Sequence, residues 1–352
     1  MIRVLSLFSG CGGFDLGFHQ EGYSTVWAND FEHWSCESFR ANFGDIIREG
    51  DIAEIDPNDP SIPDCDIIIG GFPCQDFSVL KDRPGLKTKR GSLFHYFADF
   101  VEAKKPLAFV IENVQGILTA NRGKALDAIL ERFEDIEPWY VIKPKLYDFS
   151  QYGVPQFRKR VLFVGVRVDT GFDFIHPEPI CGPGCDQPYV TAGAALAGVE
   201  DCPLNNERQR VSDIVRRLLE IIPEGGNYED IPKDHPLYVR ELFSLCYKRI
   251  HRGEPSPTIV SSGGGGTWGY HYPEPRPLTN RERARLQSFP DDFIFCGPLA
   301  EVRRQIGNAV PPLGVRPVAA ALRPLFTGEY QRVSLEEKLQ WLRIRASKSR
   351  VQ

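Results

Sequence analysis

The 352-residue sequence predicts an α/β fold: a mostly parallel sheet with helices on both faces, plus a smaller loop-rich region entered late in the chain. Three observations carry that prediction. Short, near-continuous apolar runs at residues 3–8, 66–69 and 107–111 alternate with stretches of helical periodicity, as strands buried on both faces do. After about residue 170 the texture changes to Pro, Gly and Cys punctuation. Helical periodicity returns in the last quarter. The length exceeds what one small core needs, so one large domain and one smaller one are expected.

The elements follow in order. Residues 3–8 form the first strand and end in the turn Ser9-Gly10-Cys11-Gly12-Gly13, after which Phe14, Gly17 and Phe18 begin a helix. A second strand at 25–28 leads into a helix at 31–42. The strand at 66–69 closes on Gly70-Gly71 and the strand at 107–111 closes on Glu112-Asn113, with a crossover helix at 93–103 between them. Two further strands, 139–149 and 160–167, are joined by the Pro- and Gly-containing turn at 151–156. Beyond them, 176–203 reads as loop, 207–222 as helix, and Gly263-Gly264-Gly265-Gly266 as a break. Helices are expected again at 279–288 and 315–325, and a charged amphipathic one at 334–348. The texture divides the chain near residue 170 into a first part of alternating strands and helices and a smaller loop-rich region, with helical periodicity returning towards the end.

A net charge of −5 argues at first against a polyanionic partner. By segment it does not. Residues 1–60 carry 3 basic and 11 acidic side chains, whereas 141–170 balance to +4 and 271–352 to +6. Within residues 81–90, five cations face one anion. Local positive surface can therefore meet nucleic acid on an acidic chain. No apolar run reaches the ~18 residues a membrane span needs, and the N-terminus lacks a signal-peptide shape. The nine cysteines (11, 36, 65, 74, 181, 185, 202, 246, 296) have no framework spacing, so reduced thiols in a cytoplasm are expected. Cys181 and Cys185, with Cys202 and His176 nearby, are spaced too loosely for a structural zinc site, and no metal is expected.

Chemistry concentrates at strand ends. The glycine turn after the first strand suits close approach to a cofactor, although its spacing is not the G-x-G-x-x-G of dinucleotide binders. An acid after the second strand, Asp30 or Glu32, is placed for ribose hydroxyls. Asp51, before Ile52, is placed for an adenine amino group. Gly70-Gly71-Phe72-Pro73-Cys74-Gln75 puts one thiol at the carboxyl edge of a parallel sheet, where open α/β folds hold ligands, and this favours a nucleophile over a core cysteine. Glu112 ends the neighbouring strand at the same edge. Arg158 and Arg160, alternate residues of the last strand, share a face if the strand begins there.

These residues resemble a known family. The segment 6–18, Gly71-Phe72-Pro73-Cys74-Gln75, Glu112-Asn113-Val114, and Gln151-Tyr152-Gly153-Val154-Pro155-Gln156-Phe157-Arg158-Lys159-Arg160 look like ordered motifs of the DNA (cytosine-5) methyltransferases. So do Arg276-Pro277-Leu278-Thr279 with Arg281-Glu282, Arg285-Leu286-Gln287 and Phe289-Pro290, and finally Gly307-Asn308-Ala309-Val310-Pro311. The resemblance runs in family order from residue 3 to about 325. Only 172–255 and the last 25 or so residues lack a matching pattern.

The resemblance implies a Rossmann-like S-adenosylmethionine-dependent methyltransferase sheet, with a first catalytic and cofactor-binding part at 1–170, a target-recognition domain at 171–290, and a return to the catalytic domain with a C-terminal helix at 291–352. It implies that Cys74 attacks C6 of a flipped-out cytosine, that Glu112 holds the N3/N4 edge, that Arg160 contacts O2, and that Arg158 positions the base or steadies the thiolate. For S-adenosyl-L-methionine it implies Phe8 and Phe31 against adenine, and backbone approach at Gly10, Gly12 and Gly13. Asp30 would take the ribose, and Asp51 with Ile52 the adenine amino group, with Pro73, Leu93 and Asn308 completing the pocket. The family often has Glu-Trp where this chain has Asp30-Phe31. Double-stranded DNA is the implied partner, met by Gln75 and Ser78, by Lys81, Arg83, Lys89 and Arg90 in the segment 81–90 that corresponds to the family's loop closing over the base, and by Thr258-Ile259 before the glycine run. Arg249, Arg252, Trp268, Tyr270 and His271 are placed near bases or phosphates at the level of the region.

The expected activity is that of a DNA (cytosine-5-)-methyltransferase (EC 2.1.1.37) of bacterial restriction-modification type, monomeric, cytoplasmic and nucleoid-associated. A tRNA-methylating member is disfavoured because no Cys-Phe-Thr tripeptide occurs in the smaller domain. A relative that has lost catalysis is disfavoured by intact Cys74, Glu112 and Arg160, and a nicotinamide oxidoreductase by the glycine spacing.

Overall fold

The computed structural model describes residues 1–72, 93–238, 246–261 and 269–334. Its centre is a seven-stranded sheet of β1 (Ile2–Leu7), β2 (Tyr23–Asp30), β3 (Ile47–Glu49), β4 (Ile67–Gly70), β5 (Ala108–Val114), β6 (Tyr140–Asp148) and β7 (Lys159–Arg167), in the order β3-β2-β1-β4-β5-β7-β6. The pairs from β3 to β5 are parallel, and β7 runs antiparallel to both β5 and β6. The sheet is therefore mixed but mostly parallel, as the apolar strand texture predicts.

The helices are α1 (Gly13–His19), α2 (His33–Phe43), α3 (Phe94–Lys104), α4 (Lys124–Glu134), α5 (Ala192–Leu196), α6 (Asp213–Ile221), α7 (Asn280–Leu286), α8 (Leu299–Asn308) and α9 (Pro312–Thr327). Strand alternation sorts the core by face. Leu5, Leu7 and Ile68 pack with Phe97 and Phe100 of α3 and Phe133 of α4. Val4, Ile67 and Ile69 pack on the opposite face with Phe14 and Phe18 of α1 and Val315, Val318 and Leu322 of α9. Every one of these side chains is buried, so both faces of the sheet are dry. The last helix thus closes a layer begun some three hundred residues earlier.

A third core joins the loop-rich region to the glycine turn: Cys11 packs with Ala192, Ile250, Ile259, Leu278, Leu286 and Phe289. The helix over Asn280–Leu286 starts on a full capping box, with Thr279 Oγ1 accepting from Glu282 N and Glu282 accepting from Thr279 N. Four of these elements are absent from the sequence reading: β3, α4, α5, which falls in the stretch 176–203 expected to be loop, and α8. In α4 the signal is present, with Ala125, Ile129, Leu130 and Phe133 buried at helical spacing. In α8 it is weak, because Arg303 and Gln305 are buried beside Val302 and Ile306. The helix expected at 334–348 falls, from 335 on, outside the described residues. Among the described residues no helix is long and apolar enough to cross a membrane.

Candidate active site

A cavity of about 550 Å³ opens at the carboxyl ends of β1, β2, β4 and β5. Its place follows from topology. The chain runs from β1 outward through β2 to β3, then returns to lay β4 and β5 on the other side, and the crevice forms where the order reverses.

One side of the cavity is polar and charged. In the antiparallel β5–β7 pair, Val114 lies opposite Arg160 and Glu112 opposite Leu162, so Glu112 and Arg160 are diagonal neighbours on one face. Arg160 Nε meets Glu112 Oε1 at 2.8 Å, with the two side chains only 15% and 12% exposed. The Asn113 amide donates to the carbonyl of Phe72 at 3.0 Å, which ties the end of β4 to the end of β5. Cys74 follows two residues on. Pro73, Cys74, Gln75, Ser78, Lys81, Arg83, Lys89 and Arg90 lie outside the described residues.

Arg158 differs from the expectation of a side chain aimed at the base. It is buried, and its guanidinium donates to the carbonyls of Ile259 (3.0 Å), Gly307 (3.1 Å) and Ala309 (3.0 Å). The last turn of α8 explains why. The carbonyls of Gly307 and Asn308 would accept from residues 311 and 312, but both are prolines with no N–H. Arg158 supplies the donor that Gly307 lacks, bonds the next carbonyl but one at Ala309, and puts a positive charge at a helix C-terminus. Burial, and then the nearby Arg160, push its pKa down to about 9, which still leaves it charged at neutral pH. Arg158 and Arg160 therefore divide the work: one holds the walls together and the other faces the cavity with Glu112.

The other side suits a nucleoside. Phe31 is 63% exposed at the rim, a large ring left uncovered, and Phe8 lines the wall. Asp30 is buried, with its carboxylate accepting from Gly10 N at 2.8 Å and Glu32 N at 2.9 Å. Burial raises its pKa above the ordinary value. Gly10 has φ +55° and open space where a Cβ would stand. Gly12 and Gly13 do not line the cavity. A Cβ on Gly12 would press Phe43 and stand 3.1 Å from Phe39, and one on Gly13 would press the Val310 carbonyl and stand 2.9 Å from Phe289. Of the three, Gly10 alone lines the cavity and leaves room for a ligand's approach; the other two let α1 pack.

Asp51 is exposed and caps a short 3-10 turn through Ala53 N at 3.0 Å, while Ile52 is buried in the core beside it. Leu93 packs on the same core. Asn308 is exposed and lines the cavity from the end of α8. An uncovered aromatic ring, a buried carboxylate and an open glycine turn fit S-adenosylmethionine. Sequence reasoning missed Arg304, which also lines the cavity and pairs with Glu32 and Glu301. The two arginines next to each other in α8 hid which one faces the site.

Thr258 and Ile259 form part of the wall. Thr258 Oγ1 donates to Phe157 O at 2.6 Å, and Ile259 is fully buried with its N–H on Gln156 Oε1 at 2.7 Å. Three region-level expectations are corrected. Arg249 is buried, donating to the carbonyls of Leu219 and Ile222 at 2.7 Å, and to those of His271 and Tyr272. Tyr270 and His271 are buried too. Arg252 is exposed but pairs with Glu224 at 2.9 Å, and Trp268 lies outside the described residues. The +6 balance of 271–352 is also partly internal: Arg281, Arg283 and Arg303 are buried, and Arg276 is paired with Glu282 at 2.7 Å. Both ring nitrogens of His176 are engaged, by Tyr147 and the Lys143 carbonyl, and the Cys181 thiol rests on Ser150 O at 3.1 Å.

Fold and crevice together define a Rossmann-like methyltransferase. The chain superposes with a TM-score of 0.72 on a protein described as a DNA modification methyltransferase encoded within an Escherichia coli prophage, at 23% identity over 93% of this chain and all of that one. Residues 2–323 match the C-5 cytosine-specific DNA methylase family, and the chain belongs to that family. It is 62% identical over 340 residues to the Type II methyltransferase M.NgoFVII of Neisseria gonorrhoeae, covering 96% of this chain and 90% of that protein. It is 40% identical over 345 residues to the Type II methyltransferase M.BbvI of Brevibacillus brevis, covering 92% and 91%.

Proposed function

We propose that the protein methylates C5 of a cytosine flipped out of a specific double-stranded DNA sequence, through a covalent bond between Cys74 and C6, and that this protects host DNA in the cytoplasm from a cognate restriction endonuclease. The Glu112–Arg160 pair carries the reading, because it presents a carboxylate and a guanidinium side by side at the end of β5, which Asn113 ties to Phe72, two residues before Cys74 in the sequence. A cytosine offers a complementary edge, with a donor at N4 and acceptors at N3 and O2.

In this reading the Cys74 thiolate adds to C6, and the displaced ring electrons make C5 nucleophilic. Glu112 holds N4 and N3 and stabilises protonation at N3, while Arg160 donates to O2. S-adenosylmethionine supplies the electrophilic methyl group. Loss of the C5 proton then lets the C6–S bond break, and Cys74 leaves as thiolate. Phe8, Phe31, Gly10, Asp30, Asp51 with Ile52, Pro73, Leu93 and Asn308 hold the cofactor, and Arg158 acts as a positioning residue. Residues 1–170 with 291–352 form the catalytic domain and 171–290 read the target; in support, all seven strands end by Arg167 and α9 packs against α1. In this reading Gln75, Ser78, Lys81, Arg83, Lys89 and Arg90, all outside the described residues, contact the DNA.

Cys74→Ser is expected to abolish incorporation of tritiated methyl groups into DNA while cofactor and DNA binding persist. Wild-type protein should form a denaturation-resistant adduct with duplex DNA carrying 5-fluorocytosine at the target, because fluorine blocks the elimination. Full activity of the serine variant, or no adduct, defeats the mechanism. Bisulfite sequencing of DNA from expressing cells identifies the target.

A further inference from the structure

Beside the catalytic cavity lies a second one of about 410 Å³, which nothing in the chemistry above uses. It shares Val114, Arg160 and Thr258 with the first, so the two are continuous at the mouth. Its own residues are Gln115, Gly116, Phe157 and Lys159. Phe157 is 38% exposed, although large rings are usually covered. It is held rather than loose. Its N–H donates to Ser256 O at 2.8 Å, its carbonyl accepts from Thr258 at 2.6 Å, and its ring stands edge-on to Tyr189 at 5.6 Å. Tyr189 is in turn propped on Gly182 of the cysteine-containing turn, a segment with no other part in the site. Lys159, two residues on and the first residue of β7, is exposed, and its ammonium makes no ion pair among the described residues.

A rigid, uncovered aromatic ring next to an unpaired cation is the chemistry that receives a nucleotide, with the ring on the base face and the ammonium on the phosphate. We propose that this ledge binds the nucleotide adjacent to the target cytosine on the same strand. The proposal rests on the reading that the first cavity takes a flipped cytosine. A flipped base leaves its own backbone at the cavity mouth, and the shared residues Val114, Arg160 and Thr258 place the ledge where that backbone continues. The occupant is therefore the target strand and not its complement.

The test uses full-length protein and a duplex containing the sequence found by bisulfite analysis. Phe157→Leu keeps an apolar contact for Tyr189 but removes the ring, and Phe157→Tyr keeps the ring. The leucine variant should bind the duplex at least about fivefold more weakly, and the tyrosine variant should bind like wild type. S-adenosylmethionine affinity, measured by calorimetry, should stay unchanged in both and reports an intact fold. Lys159→Gln should lower the dependence of log affinity on log salt by about one. With 2-aminopurine next to the target cytosine, emission in the complex should differ between wild type and Phe157→Leu; a probe opposite, on the complementary strand, should not respond. Equal binding by the leucine variant, an unchanged salt slope in the glutamine variant, or a response confined to the complementary strand overturns the ledge. Failure of wild-type protein to form the 5-fluorocytosine adduct instead overturns the reading on which it rests.

Discussion

Replacing Arg158 with Met separates a positioning role from a chemical one. The substitution keeps an unbranched apolar stem of similar reach and removes three charge-assisted hydrogen bonds, to Ile259, Gly307 and Ala309. Each such bond contributes about 1.5–3 kcal/mol net, and an orphaned buried carbonyl costs ~1–3 kcal/mol. The terms are not additive, because three carbonyls share one donor group, and methionine recovers some apolar packing. A loss of about 3–5 kcal/mol is the expectation, comparable to breaking a buried charge network. Water cannot easily replace the donors, since the Ile259 and Gly307 bonds are buried. Prolines 311 and 312 leave α8 no internal alternative. Urea unfolding followed by tryptophan fluorescence should show a lower midpoint with an unchanged slope. S-adenosylmethionine affinity should fall as well, because Asn308 sits on the turn that Arg158 caps. Wild-type stability and cofactor affinity combined with lost methyl transfer would refute this account and return Arg158 to direct contact with the base or thiolate.

Two further outcomes are expected. Gly13→Ala should lower stability by about 1–3 kcal/mol in thermal unfolding, because the new methyl presses the Val310 carbonyl and Phe289, and a backbone atom cannot rotate away; an unchanged Tm would mean that α1 shifts freely. Acidification should cost stability through His176. Burial and then Lys145 push its pKa down to about 4, and its Nε2 faces the Lys143 carbonyl, so Nδ1 accepts from the Tyr147 hydroxyl and the folded ring is neutral. The unfolded ring takes up a proton near pH 6.5, so the contribution is fully present above that pH and is lost as pH falls toward 4. It amounts to at most about 1.4 kcal/mol per pH unit. Urea midpoints at pH 7 and pH 5 should lie further apart for wild type than for His176→Gln; equal spacing contradicts the assignment.

Much of the site can be read in the chain because it consists of strand ends. A short apolar run that stops at Glu112-Asn113 names both the strand and the polar residue it delivers, since burial of the run forces the end to the sheet edge. The same logic finds Asp30 after β2 and the glycine turn after β1. It fails where a residue's role depends on a partner distant in sequence. Gly12 and Gly13 look like cofactor glycines because spacing carries no information about Phe43 or Val310, which press on them from other elements. Arg249 and His271 look like DNA contacts because charge is visible in a sequence and burial is not.

Periodicity and strand-end chemistry alone determine the α/β class, the mostly parallel sheet, and Glu112 at its carboxyl edge. These are local properties, set within a dozen residues by the two-residue repeat of strands and the near-four-residue repeat of helices. The tertiary structure alone decides that β7 inserts antiparallel beside β5, which puts Arg160 2.8 Å from Glu112. It decides too that Arg158, two residues away, points the other way to close α8. Alternation along a strand states that faces differ or agree; which neighbour each face meets depends on sheet order, and sheet order is a property of the packed whole.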